Sequence, residues 1–134
     1  MEAMNIKAAD INLENVLAFI NTILENNDCP RKIQMQIDSA VEEIYVNVAH
    51  YAYFPEEGDV LIKCGVCDGQ AVVSFEDNGT PYDPLKKPDP DVSLPAEERQ
   101  IGGLGIYMVK QSMDSVHYDY KHGRNVFTLK KKLI

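Results

Sequence analysis

Apolar residues recur at helical spacing in three stretches of the chain. In the first stretch they repeat every three or four positions after Asn12, a plausible N-cap: Leu13, Val16, Leu17, Ile20, Ile23 and Leu24. The second predicts a long helix from about Arg31 to Tyr53, ended by Pro55. A shorter third helix is predicted from Ile106, Met108, Val109 and Met113.

Strict alternation of apolar and polar residues predicts strands elsewhere. A short first strand is expected at residues 3–8, before the first helix. Two hairpins follow, because Asp68-Gly69 and His122-Gly123 separate alternating segments and are favourable tight turns. The strands of these hairpins are 60–66 with 71–76, and 116–120 with 126–133.

Between the hairpins, residues 80–101 contain five prolines and almost no apolar periodicity. So long a loop inside a compact domain is commonly a lid over a binding site. The element order is β-α-α-β-β-lid-α-β-β. It predicts one α/β (α+β) domain over residues 1–134, a two-layer sandwich whose mixed, mostly antiparallel sheet carries three helices on one face.

Composition narrows the possible partners and compartments. The 134 residues carry a net charge of −8, which argues against a nucleic-acid or anionic membrane surface. We find no signal peptide and no apolar run of about 18 residues, so no membrane association is expected. The three cysteines are an odd number and favour a reducing cytoplasm. Cys64 and Cys67 lack the second ligand pair that a structural zinc needs, and are interpreted as strand residues.

Glu43 and Asn47 lie one turn apart on the shoulder of the apolar stripe of the second helix. There they would face a cleft at the edge of the core, whereas Glu42 points further toward solvent. An asparagine carbonyl oxygen suits Mg²⁺, and a carboxylate can accept a proton from an attacking hydroxyl. Taken alone, such a pair is more often a solvated helix shoulder.

Asp77 ends a strand in which Val73 and Phe75 share its face, so the two-residue period predicts that it is buried. A buried carboxylate needs a partner, and the exocyclic amine of adenine would supply one. Gly79 would then allow the backbone to approach a flat base. The alternative is an ordinary Asp-Asn-Gly turn.

Gly102, Gly103 and Gly105 precede or open the third helix. A helix N-terminus with glycines suits phosphate groups, because its N–H groups are free and no side chains obstruct them. The cluster is neither a Walker A loop nor a dinucleotide fingerprint, and protein-kinase motifs are absent from the sequence. A flexible helix start is the alternative.

In this order, the segments E-E-I-Y-V-N, E-D-N-G-T-P and G-G-L-G-I, closing with N-V-F-T-L, resemble the GHKL (Bergerat-fold) ATP-binding superfamily. Within it, the chain resembles the compact bacterial anti-sigma factor serine/threonine kinases, over roughly residues 33–132. It implies that Glu43 is the general base, that Asn47 holds Mg²⁺, and that Asp77 reads adenine with Thr128 assisting through water. The nucleotide-binding residues implied are Asn47, Asp77, Gly79, Pro81, Gly102, Gly103, Leu104, Gly105, Ile106 and Thr128.

The resemblance also implies ATP and Mg²⁺ as cofactors and two kinds of protein partner. The substrate would be a serine on an anti-anti-sigma protein, the other partner a sigma factor or similar regulator, and a homodimer is possible. Two features depart from the family. Tyr51 takes the position where members often carry a histidine, with His50 beside it, and the arginine nearest the glycines is Arg99. An ATP-binding module that sequesters a partner with little or no kinase activity therefore stays as an alternative, as does a domain without nucleotide.

Overall fold

The computed structural model describes residues 1–53, 58–86 and 104–134. Five strands and three α-helices follow the predicted order. They are β1 Glu2–Lys7, α1 Leu13–Asn26, α2 Arg31–Asn47, β2 Asp59–Cys67, β3 Gln70–Asp77, α3 Leu104–Ser112, β4 Ser115–Lys121 and β5 Arg124–Lys132. Short helical turns lie at Asp10–Asn12, Val48–Ala52 and Pro84–Lys86. No helix in the described ranges is long and apolar enough to cross a bilayer.

The strands form one sheet in the order β1-β2-β3-β5-β4, and every neighbouring pair is antiparallel. The two-layer α/β prediction is confirmed. Its description of the sheet as mixed is wrong for the described strands, because no parallel pair occurs among them. The connection through α3 does make β4 parallel to β3, but β5 lies between them and pairs with both in the antiparallel sense.

Alternation along the strands decides which side chains meet the helices. In β3 the residues Ala71, Val73 and Phe75 are buried, and their neighbours in β2 and β5 follow the same parity. The helices contribute fully buried residues such as Ile20 and Ile44 to the same core. Burying each such side chain contributes about 1.5–3 kcal/mol, so this covered face supplies most of the stabilisation of the fold.

Both predicted hairpin turns are present and adopt the left-handed backbone that their residues favour. Asp68 and Gly69 have φ of 54° and 74°, and His122 and Gly123 have φ of 52° and 76°. Positive φ at both central positions is the geometry of a type I′ turn. These turns fix the register of β2 with β3 and of β4 with β5.

Two helix ends differ from the sequence prediction. Asn12 stands at the N-cap position of α1, but its side-chain amide donates to the Lys7 carbonyl at 2.9 Å instead of capping the helix. Helix α2 stops being α-helical at Asn47 and continues as a π-turn over Val48–Ala52. A π-turn widens the helix, a distortion that occurs frequently at functional sites. Pro55, the predicted end, lies outside the described residues.

Candidate functional site

Glu43 and Asn47 lie side by side on α2, as predicted. Asn47 is 3% exposed, and its Nδ2 donates to the Glu43 carbonyl oxygen at 2.7 Å and to Glu43 Oε1 at 3.3 Å. With Nδ2 toward Glu43, Oδ1 accepts a hydrogen bond from the Tyr82 hydroxyl at 3.4 Å. Glu43 is half-buried and Glu42 is exposed, so the prediction that Glu42 points further toward solvent is confirmed. The amide therefore offers its carbonyl oxygen away from the carboxylate.

Gly105 packs directly against the Glu43 carboxylate. A Cβ at this position would overlap the carboxylate carbon and both oxygens. Both residues line an open groove of about 420 Å³ between α2 and α3, whose other walls include Gln36, Ser39 and Met108. Because residue 105 is a glycine, the Glu43 carboxylate has room at the wall of this groove, where solvent or an incoming hydroxyl could reach it.

Asp77 is 2% exposed at the end of β3, and the predicted burial is confirmed. Its Oδ1 accepts hydrogen bonds from the Gly79 N–H at 2.9 Å and from Asn125 Nδ2 at 2.8 Å. Burial raises the pKa of this carboxyl, while these hydrogen bonds and the charge of Arg124 act in the opposite direction. The strand thus presents a buried, oriented acceptor, as recognition of an amino group requires.

Asn125 is a site residue that sequence reasoning missed. It is 4% exposed and opposite Asp77 in the β3–β5 register. Its Nδ2 also donates to the Thr80 carbonyl at 3.0 Å, and its Oδ1 accepts from the Tyr82 N–H at 3.1 Å and from the Tyr118 hydroxyl. The signal was in the sequence, since Asn125 shares the parity of the buried Phe127 and Leu129.

Thr128, predicted to assist Asp77, does not face it. Thr128 pairs with Ser74, whereas Asp77 pairs with Asn125, three residues earlier on β5. Because successive side chains of a strand point to opposite faces, Thr128 lies on the face away from the helices. The prediction for Thr128 is wrong for this reason, and Asn125 stands in its place.

The remaining predicted nucleotide residues fall into three groups. Gly79 packs against the end of the π-turn, where a Cβ would lie 2.5 Å from the Ala52 carbonyl oxygen, and Thr80 N–H donates to that oxygen at 2.9 Å. Ile106 is 1% exposed and belongs to the hydrophobic core, and Leu104 begins α3. Gly102, Gly103, Arg99 and the lid beyond residue 86 lie outside the described residues.

Pro81 and Tyr82 begin the predicted lid and lie over the Asp77 end of the site. Pro81 lines an outer cleft of about 530 Å³ together with Lys86 and Tyr120. An inner cavity of about 20 Å³ lies against Asp77 and Asn125. Tyr82 lines both. Tyr82 of the lid and Tyr118 of β4 therefore lie between the buried acceptor and the open cleft.

The donor set fits a magnesium ion that is shared with a nucleotide. Within the described ranges, no group of three or more His, Cys, Asp or Glu side chains could hold a metal. Asn47 contributes one neutral carbonyl oxygen, and Mg²⁺ commonly takes one or two protein oxygens and completes its shell with water and phosphate. Cys64 and Cys67 do not add to this set, because one is buried, with a pKa raised by burial to about 12, and the other is exposed.

His50 and Tyr51 follow Asn47 on the π-turn. The His50 ring contacts the Asp10 carboxylate at 2.8 Å on the surface, which ties the π-turn to the segment before α1. The ring of Tyr51 stacks on that of Tyr82, with centroids 4.9 Å apart. The tyrosine at the position where a histidine was anticipated therefore contacts the lid.

An antiparallel sheet with three helices on one face, a carboxylate–amide pair on the central helix and a buried aspartate at a strand end define a GHKL-type ATPase domain. The chain belongs to the histidine kinase-like ATPase domain family, whose model matches residues 6–131. The resemblance seen in the sequence is thereby confirmed.

Similar proteins include the serine-protein kinases RsbW of Bacillus thuringiensis (strain Al Hakam) and Bacillus cereus (strain 03BB102). Each is 28% identical over 95 residues, which are 68% of this chain and 59% of the relative. This chain therefore matches less than two thirds of the length of those kinases.

Solved structures share the fold at low sequence identity. The RsbU and RsbW domains of Rv1364c from Mycobacterium tuberculosis match with a TM-score of 0.69 and 16% identity, over 99% of this chain and 33% of that one. The SiaB–SiaC complex from Pseudomonas aeruginosa matches with a TM-score of 0.60 and 17% identity, over 98% of this chain and 89% of the matched chain. The fold prediction is confirmed by these neighbours.

Proposed function

We propose that the protein is an ATP-dependent protein serine/threonine kinase that acts as an anti-sigma regulatory factor in a partner-switching pathway. The observation that carries the proposal is the Glu43 carboxylate, which lies beside Asn47 and against Gly105 in an open groove. A protein segment can approach this groove, which supports Glu43 as the group that accepts a proton from an incoming hydroxyl.

In the proposed reaction, a serine hydroxyl oxygen of the partner attacks the γ-phosphorus of ATP. The new O–P bond forms as the bond to the β-phosphate oxygen breaks, ADP leaves, and the hydroxyl proton passes to Glu43. Asp77, which Asn125 and Gly79 orient, accepts a hydrogen bond from the exocyclic amine of adenine. Asn47 Oδ1 would hold Mg²⁺, which neutralises phosphate charge, and Gly102 and Gly103 would border the phosphates.

The proposed pathway involves two protein partners. We propose an anti-anti-sigma-like protein as the substrate and a sigma factor or similar regulator as the second partner, in the cytoplasm. The likeness to RsbW and the SiaB–SiaC complex supports this assignment. A homodimer is compatible with the same pathway.

Glu43→Gln tests the catalytic assignment. The protein is incubated with Mg-ATP and a candidate anti-anti-sigma-like protein, and phosphoserine is measured by mass spectrometry. We expect the variant to lose about 10²–10⁴-fold in transfer rate, the usual contribution of a general base, while its affinity for Mg-ATP by calorimetry stays within a few-fold. Glu42→Gln is the matched control, since its side chain is exposed one position away. Equal phosphorylation by Glu43→Gln would remove Glu43 as the base.

A second function is an ATP-gated binding module that sequesters its partner with little or no kinase activity. Its support is that Asn125 Nδ2 donates to Asp77 Oδ1, so that the proposed adenine acceptor is oriented without any group needed for phosphoryl transfer. ATP-dependent capture of the partner, with no phosphoserine formed, would favour this function over the kinase.

A further inference from the structure

Tyr82 contacts both ends of the proposed nucleotide site. Its backbone N–H donates to Asn125 Oδ1 at 3.1 Å, at the end where Asp77 lies. Its hydroxyl donates to Asn47 Oδ1 at 3.4 Å, at the end assigned to the metal. Its ring is stacked on Tyr51 at an interplanar angle of 17°. One lid residue is thus attached to the strand, to helix α2 and to the π-turn.

Tyr82, together with Tyr118 of β4, lies between the two spaces of the site. The inner cavity beside Asp77 measures about 20 Å³ and is walled by Ile44, Phe75 and Tyr82 among others. The outer cleft measures about 530 Å³ and also includes Tyr82 in its wall. Pockets for small ligands usually enclose roughly 300–1,000 Å³. The inner cavity alone is too small for a purine, whereas the two spaces joined would suffice.

We propose that Tyr82 is a latch that closes the nucleotide site, and that Mg-ATP binds by displacing it. The purine takes the space between the inner cavity and the cleft that the ring now fills. Asn47 Oδ1, once the Tyr82 hydroxyl has left it, would be available to hold the metal. This inference rests on the proposed binding of ATP and adds a residue that makes the adenine and metal ends open together.

The latch has a quantitative consequence for binding. When only a fraction of molecules is open, the apparent dissociation constant equals the intrinsic one divided by that fraction. Weakening the latch therefore tightens nucleotide binding. Residues that contact bound nucleotide give the opposite result on truncation, so the direction of the change distinguishes the two roles.

The test compares wild-type protein with Tyr82→Phe and Tyr82→Ala by titration calorimetry, with Mg-ATP and with ATP in EDTA. Tyr82→Phe keeps the ring that stacks on Tyr51 and removes the hydroxyl that donates to Asn47 Oδ1. We expect it to bind both Mg-ATP and ATP in EDTA about two- to tenfold more tightly, the value of one neutral hydrogen bond, because both ligands need the open site. Tyr82→Ala also removes the ring, so both ligands should bind more tightly.

Tyr107→Phe on α3 is the control for loss of a tyrosine hydroxyl elsewhere and should bind like wild type. Thermal melts of all variants verify folding. Unchanged or weaker Mg-ATP binding by Tyr82→Phe, or weaker binding by Tyr82→Ala, would overturn the latch while wild-type binding keeps the proposed function intact. If Tyr82→Ala binds Mg-ATP and the wild-type protein does not, this result would support the latch. If neither wild type nor Tyr82→Ala binds Mg-ATP, the proposed function fails and the latch fails with it.

Discussion

At the scale of single residues, Asp77 and Asn125 act as one unit. The carboxyl is buried without a cation in hydrogen-bond contact among the described residues, and its Oδ1 is held by two N–H donors. Such an arrangement orients the carboxylate but offsets only part of the cost of its desolvation. A charge kept in this environment is costly for stability and useful for recognition.

Asp77→Asn should therefore separate stability from function. Burial raises the pKa of Asp77 above its ordinary value of 3.8, so the charged form is disfavoured in the folded protein. This cost is fully present above the raised pKa and disappears as the pH falls below 3.8. We expect the variant to match or exceed the wild-type free energy of unfolding at pH 7, and the difference to narrow toward pH 4.

Urea denaturation at both pH values measures this difference, and calorimetry measures nucleotide binding. An asparagine Oδ1 can still accept from Asn125 and Gly79, but its amide would meet the adenine amine donor to donor. Affinity for Mg-ATP should fall at least about tenfold, as expected for an unpaired buried donor. A variant that is clearly less stable at pH 7, or that binds as wild type does, would contradict the assignment.

One sequence prediction about a single residue, that Thr128 assists Asp77, is wrong. The motif resemblance pointed to Thr128, but strand register places Asn125 opposite Asp77 and sends Thr128 to the other face. Burial parity along β5 gives the correct answer, because Asn125 alternates with Phe127 and Leu129. A sequence motif alone does not specify which residues of two distant strands lie opposite each other.

At the scale of elements, α3 matters because it brings its first turn against α2. Gly105 touches the Glu43 carboxylate, so helix packing and the position of the base are linked at this contact. Which residues of α2 and α3 meet depends on the packing of both helices on the sheet. The contact between Gly105 and Glu43 could therefore not be predicted from the sequence. The sequence suggested phosphate binding for this glycine.

Gly105→Ala should impair transfer without unfolding the protein. The added methyl meets the far end of a flexible side chain, which can turn away, and alanine favours a helix over glycine by about 0.5–1 kcal/mol. We expect an unchanged or higher melting temperature, Mg-ATP affinity within a few-fold, and at least tenfold slower phosphoserine formation. Gln111→Ala on the exposed side of α3 is the control. Normal transfer by Gly105→Ala would show that the contact does not position Glu43.

At the scale of the whole molecule, one core lies between the sheet and all three helices. The buried residues of α1, α2, α3 and the strands form a single cluster. The prediction of one domain over residues 1–134 then has a thermodynamic consequence, because elements that share one core lose it together.

Ile62→Ala tests this cooperativity. Ile62 lies on β2 and is 0% exposed, so its truncation should lower the free energy of unfolding by about 2–5 kcal/mol. Unfolding in urea, followed by far-UV circular dichroism and by tyrosine fluorescence, should give coincident transitions for wild type and variant. Lys130→Ala, exposed on β5, should change stability by less than about 0.5 kcal/mol. Separate transitions for the two probes would contradict a single cooperative unit.

Local patterns in the sequence determined the elements of this protein, both hairpin turns, the burial of Asp77 and the pairing of Glu43 with Asn47. Each depends on neighbours within a few positions, through helical spacing, strand parity or the φ preference of glycine. The tertiary structure alone decided which distant residues meet: Asn125 with Asp77, Gly105 with Glu43, and Tyr82 with Asn47 and Tyr51. Those contacts depend on strand register, on the packing of α3 against α2 and on the path of the lid's first residues, which no short segment of sequence specifies.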